Sequence, residues 1–338
     1  MPRRFVGFTL IEIILSVSII SVLMGVAAPA INSVRRSARS VACAATQERL
    51  YQATMTYSLN DNEWIPGVNR TGLKYRGSVN AVLELEGDTT PDTPTSTYDW
   101  ISPVIGAAAG LSPNRAMRTK QIFENLGCPE ATRLNDQTYG YSNDLVSDFL
   151  PLIKSNQGVR QVSYLMPASF ELAGPGYSPT QYERFGWTGP ATPPRKYLPR
   201  LDRIGQQPAT KVFVADGTRY LAADDTLDFD VSPNPEYYGS FTSSTPIYEG
   251  STAYGSGPAA PGFDATPGGQ AAHAKRRKLS YRHKGRLNIT YFDGHGGAMT
   301  ESESKTNAAP WYPQGSTFTG VRATPESLEH HKVGDILH

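Results

Sequence analysis

Apolar positions dominate the start of the chain. Residues 8–31 contain a single ionisable side chain, Glu12. A helix of that length rises about 36 Å, enough to cross a hydrocarbon core of about 30 Å. A carboxylate inside such a segment costs roughly 2.5–3.5 kcal/mol on insertion scales, so Glu12 is the first functional candidate. Beyond it, residues 33–57 lack Gly and Pro and are rich in Ala, Arg, Gln and Glu, which favours continued helix. Cys43, Leu50 and Tyr57 recur at a spacing of seven, with Ala53 and Thr54 between the last two. They predict one buried face on which a folded head rests. The predicted helix runs from about residue 9 to about residue 59.

The pattern then changes to short apolar runs separated by turns. Residues 79–85 read as a short helix or strand, and 139–143 (Tyr-Gly-Tyr-Ser-Asn) as an aromatic turn. Residues 211–215 (Lys-Val-Phe-Val-Ala) read as a buried strand ended by Asp216-Gly217. Residues 287–292 predict a second strand. Asp293-Gly294 then suits a type I′ hairpin, and residues 295–300 return antiparallel. Residues 239–269 hold so much Gly, Ser and Pro that they predict a long mobile surface loop. The tail, 311–338, shows little periodicity.

Composition narrows the function classes. The 338 residues carry a net charge of +1, so no global electrostatic attraction to nucleic acid is expected. Tyr (18) outnumbers Phe (12), and Gly (31) and Pro (26) are abundant, which fits a loop-rich domain with short strands. No Gly-x-Ser-x-Gly elbow, phosphate-binding glycine loop or His-Glu-x-x-His occurs, so no enzyme is expected.

Met1-Pro-Arg-Arg-Phe-Val-Gly7, then Phe8-Thr-Leu-Ile-Glu12 and the apolar run, resemble the amino terminus of type IV prepilins and pseudopilins. The resemblance implies a leader, 1–7, removed after Gly7 by a prepilin peptidase that also methylates Phe8. It implies that Glu12 pairs with the amine of a neighbouring subunit, and Pro29 falls where the family places a helix-kinking proline. His283, nine residues, then Asp293-Gly294 is similar to the signature of the prepilin-type processing-associated family of large pilin-like proteins. Together these imply an α+β fold: a long helix, 8–59, membrane-spanning over 8–31, packed on an antiparallel sheet in a head, 60–338. They imply a single pass through the inner membrane, with the head in the periplasm or on the cell surface. Outside the cytoplasm, Cys43 and Cys128 are expected to form a disulfide. The implied function is a structural subunit of a type IV pilus or type II secretion filament, with other pilin-like subunits as partners. The alternative is a membrane-anchored protein that binds glycan, metal or a surface component and never polymerises.

Three further groups of residues have ligand chemistry. His283, Asp293 and His295 are types that ligate zinc, although a His one strand-length from an Asp-Gly turn also serves as a backbone clasp. Asp216, Asp224, Asp225, Asp228 and Asp230 form an acidic stretch suited to Ca2+, or to solvation as an acidic loop; no other cofactor is expected. Residues 275–278 with Arg282 and Lys284 read as a solvated basic patch.

Overall fold

The computed structural model describes residues 9–76, 90–131, 133–134, 159–160, 163–184, 189–218, 241–251, 253–254 and 278–338. The leader with Gly7 and Phe8, the 79–85 and 139–143 segments, Asp224, Asp225, Asp228, Asp230 and residues 275–277 lie outside these.

Helix α1 spans Leu10–Asn60, close to the predicted bounds, and continues through Pro29. Its start is a capping box: the Glu12 carboxylate accepts from the Thr9 N–H and hydroxyl, both at 2.8 Å, and the Glu12 N–H donates to Thr9 Oγ1. Its end is a reversal through two left-handed residues, Asn62 (φ 52°) and Glu63 (φ 63°), and the Glu63 N–H closes on the Ser58 carbonyl at 2.7 Å. Residues 9–39 are exposed along their whole length. The helix is long and apolar enough to cross a membrane. Only the second half is buried against the head, through Cys43, Gln47, Leu50, Thr54 and Ser58. These steps of three and four follow the helical period. Tyr57, expected on this stripe, is half-buried at its edge and donates to Asp61 at 2.7 Å.

The strands are β1 (Arg133–Leu134), β2 (Val159–Arg160), β3 (Tyr164–Pro167), β4 (Ala191–Thr192), β5 (Val212–Asp216), β6 (Thr242–Ser243), β7 (Arg286–Tyr291), β8 (Gly296–Thr300), β9 (Ser316–Phe318) and β10 (Ile336–Leu337). The main sheet has the order β6-β3-β5-β7-β8, antiparallel except for the β3–β6 pair. A second sheet has the order β10-β9-β4. The fold is thus mixed α and β, with a predominantly antiparallel main sheet.

Helix α1 lies along β7. The Asn288 side chain donates to the Ser40 carbonyl at 3.1 Å, Thr290 Oγ1 donates to Gln47 Oε1 at 3.1 Å, and Tyr51 Oη donates to the Phe292 carbonyl at 3.2 Å. Asn288 and Thr290 alternate with Leu287 and Ile289, which point to the opposite face, so β7 is buried on both sides. In β5 the register against β7 shifts between Val212 and Val214. Strict alternation would put Phe213 and Asp216 on opposite faces. Yet Phe213 meets Tyr51 edge-on at 5.8 Å and Asp216 meets Gln47 at 3.1 Å, both on α1. The bulge re-aims the strand so that both face the helix.

The β7–β8 hairpin is present, but its turn differs from the predicted type I′. Tyr291 pairs with His295, the Gly294 N–H donates to the Tyr291 carbonyl at 2.9 Å, and only Gly294 takes positive φ (93°). A three-residue loop closed by one left-handed glycine accounts for this. A Cβ on Gly294 would stand 2.5 Å from the Tyr51 ring, so this glycine also lets α1 approach the turn.

Parts of two regions without periodicity join the core. Of the Gly/Ser/Pro segment, residues 241–251 and 253–254 are described, and there Phe241, Ile247 and Tyr254 are buried, because widely spaced large side chains anchor this stretch despite its composition; residues 255–269 lie outside the described residues. In the tail, Trp311, Tyr312, Phe318 and Leu337 are buried, and the polar residues between them hide any period.

Replacing Gly294 by Val is expected to lower the unfolding free energy by about 2 kcal/mol or more, through backbone strain and overpacking against Tyr51. Gly285 also has positive φ (80°) but open space around its Cα. Gly285→Ala should lose only the strain, about 1 kcal/mol. Urea unfolding followed by circular dichroism compares them; equal losses would exclude the Tyr51 contact.

Candidate functional site

Four segments distant in sequence meet beneath α1. Cys43 comes from the helix. Cys128 follows α4 (Arg115–Asn125), after α2 (Thr71–Arg76) and α3 (Ser102–Ile105). Its N–H is held by Ser163 Oγ at 2.8 Å and its carbonyl by Arg160 at 3.1 Å. Asp216 ends β5. His283 sits in the turn that starts β7, where Lys284 (φ 56°) and Gly285 reverse the chain and the Arg286 N–H returns to the His283 carbonyl at 3.2 Å.

Asp216 is the centre of the group and is fully buried. Its Oδ1 accepts from the Cys43 thiol at 3.2 Å and from Gln47 Nε2 at 3.1 Å, with the Arg282 guanidinium 3.5 Å away. Its Oδ2 accepts from the Asn288 N–H at 2.9 Å and lies 3.2 Å from His283 Nε2. Arg282 also donates to the Ser163 carbonyl at 2.7 Å and to the Gly217 carbonyl at 3.1 Å. Cys128 Sγ stands 3.3 Å from His283 Nε2. The other ring nitrogen, Nδ1, faces Glu130 Oε2 at 3.5 Å. Tyr164 Oη lies 3.4 Å from Cys43 Sγ.

The charges balance. Burial works against the Asp216 charge, yet Arg282, His283 and the Asn288 N–H hold its carboxyl below the usual carboxylate range. Burial likewise opposes an imidazolium, but Asp216 and Cys128 push His283 up to about 9. The neighbouring Cys43 sulfur, then His283 and Arg282, lower the Cys128 thiol against the effect of burial. Burial first, then Cys128 and Asp216, pushes the Cys43 thiol up.

Several sequence predictions change here. Cys43 and Cys128 do meet, but as buried free thiols instead of a disulfide, each sulfur being engaged by hydrogen-bonding neighbours. His283 neither clasps the Asp293-Gly294 turn nor converges with Asp293 and His295. Asp293 Oδ1 and His295 Nδ1 pair with each other at 2.6 Å on the exposed hairpin tip, whereas His283 is buried at the far end of β7. Asp216 is fully buried among protein donors, and its expected companions Asp224, Asp225, Asp228 and Asp230 lie outside the described residues. Arg282, read as a solvated patch residue, is buried with a 5 % exposed side chain. Gln47, Arg282, Asn288 and Glu130 were missed as site residues. Only Gln47 carried a signal: it lies between Cys43 and Leu50 on the buried helix face.

Comparison with protein-family models, curated proteins and solved structures finds no match to this chain. Chemically, the centre can lock the helix to the head, join two thiols or hold a soft cation. Cys128 and His283 are also the residue types of a nucleophile and its base, and Cys128 is fully buried.

Asp216→Asn leaves Arg282 buried without its anion. The expected loss is roughly 3–5 kcal/mol of unfolding free energy. Adding Arg282→Met should restore part of it, a non-additivity that a double-mutant cycle in urea reads directly. Additive losses would show that the two charges are not coupled.

Proposed function

We propose that this chain is a prepilin-like structural subunit of a type IV pilus or type II secretion pseudopilus filament, cleaved after Gly7 and methylated at Phe8. The observation that carries the reading is the division of α1. Residues 43–58 bury a stripe against the head, while residues 9–31 are apolar and exposed along their whole length. Such a surface calls for lipid before assembly and for neighbouring apolar helices afterwards. The inner membrane supplies the first, and other pilin-like subunits the second.

Glu12 gives the assembly step its chemistry. After cleavage, the Phe8 amine and the Glu12 carboxylate are each unfavourable when unpaired in lipid. Pairing between neighbouring subunits relieves both and sets an axial register. The capping box gives Glu12 a competing role within its own helix, and the two roles separate experimentally. Gln retains a capping box but has no charge; Ala has neither.

Amino-terminal mass spectrometry should find Phe8 as the methylated first residue, and Gly7→Val should block the cut. In sheared surface filaments, Glu12→Gln and Glu12→Ala should both fall ten-fold or more, equivalent to about 1.4 kcal/mol of assembly energy. A defect in Ala alone would assign Glu12 to capping. An uncut Met1 terminus would overturn the prepilin reading. A cut protein that stays monomeric whatever residue stands at 12 would favour the membrane-anchored binding protein.

A further inference from the structure

We propose that Cys43, Cys128, His283 and Asp216 form a structural zinc site that pins helix α1 to the head. Cys43 Sγ, Cys128 Sγ and a ring nitrogen of His283 lie within 4.8 Å of one another, all buried. An Asp216 oxygen stands 3.2 Å from His283 Nε2 and another 3.2 Å from Cys43 Sγ. Tetrahedral zinc, with bonds of about 2.3 Å to sulfur and about 2.0 Å to nitrogen or oxygen, separates its ligand atoms by about 3.3–3.8 Å. With Asp216 Oδ2 as the oxygen ligand, the separations of 3.2 Å from it to His283 Nε2 and 3.3 Å from that nitrogen to Cys128 Sγ need to open by only a few tenths of an ångström.

The surroundings point the same way. A zinc-bound histidine characteristically directs its second ring nitrogen at a carboxylate, and a ligating carboxylate is itself hydrogen-bonded. His283 Nε2 faces the two sulfurs and Asp216, while its Nδ1 faces Glu130 Oε2 at 3.5 Å. Asp216 is held by Gln47, the Asn288 N–H and Arg282. Zinc with two thiolates and one carboxylate carries one net negative charge, which Arg282 neutralises. Thiolate and neutral imidazole are the ligating forms, so binding releases protons. Two thiolates and an imidazole select zinc over hard cations. The site draws on positions 43, 128, 216 and 283, so a filled site crosslinks the helix, two strand termini and the segment after α4.

The test uses the full chain, purified in detergent under reducing, oxygen-free conditions. Plasma mass spectrometry should find one zinc per chain after dialysis, and zinc added to chelator-stripped protein should raise its Tm by several degrees. Cobalt(II) in place of zinc should give the visible bands of a tetrahedral site and a thiolate-to-cobalt charge-transfer band. Cys43→Ser and Cys128→Ser should lose that band, and Glu130→Gln should weaken metal affinity roughly 10–100-fold. Folded wild-type protein that retains no zinc and gives no cobalt band overturns the proposal. So does rapid alkylation in intact cells that recovers Cys43 and Cys128 as a disulfide. The decisive readouts are on the wild type, so a variant that misfolds does not obscure them. They are also indifferent to leader cleavage and filament assembly.

Discussion

The negative charge of Asp216 sits where no water reaches it, and much of the architecture answers that constraint. An unpaired buried carboxylate is unfavourable by several kcal/mol. Here its oxygens are met by the Cys43 thiol, the Gln47 amide, the Asn288 N–H, Arg282 and His283. Those donors come from α1, from β7 and from the turn before β7. Satisfying one charge therefore positions the helix, the sheet and the turn together. An apolar seam could slide by a helical turn at modest loss; this one cannot, because every displaced donor leaves a polar atom unpaired. Gln47 shows the tightness of the arrangement: its amide donates to both Asp216 and the Asn288 carbonyl and accepts from Thr290.

Against that fixed seam, residues 9–31 of α1 are exposed along their whole length. The two parts of one helix thus present different surfaces. Residues 43–58 are chosen for a head domain, with polar side chains that need exact donors. Residues 9–31 are apolar, and there Ser16, Ser18 and Ser21 turn their hydroxyls back onto carbonyls four residues earlier. The single carboxylate in the apolar half is placed at the helix start, where Thr9 and the helix dipole favour it.

The hairpin shows how small features serve the same seam. Gly294 leaves space for the Tyr51 ring, whose hydroxyl reaches the Phe292 carbonyl. The bulge in β5 turns both Phe213 and Asp216 toward α1, one for the aromatic contact and one for the charge centre. Without it, strict alternation would bury one of them on the wrong side of the sheet.

Local chemistry was enough to determine much of this from sequence. The helix bounds, the β5 and β7 strands and the Asp-Gly hairpin are all written in short-range pattern, where period and turn residues act within a few positions. The partners of those residues were not. Arg282 beside Lys284 looks like surface charge, and its burial depends on Asp216, 66 positions away. His283 looks tied to the Asp-Gly turn nine residues on, yet it faces Cys128 from 155 positions away. The Gly/Ser/Pro segment and the tail read as loops because their few large side chains lack a period, and only the closed core gives those side chains a place. Sequence shows what each side chain can bond; the tertiary structure decided which ones must, because only burial removes water as the alternative partner.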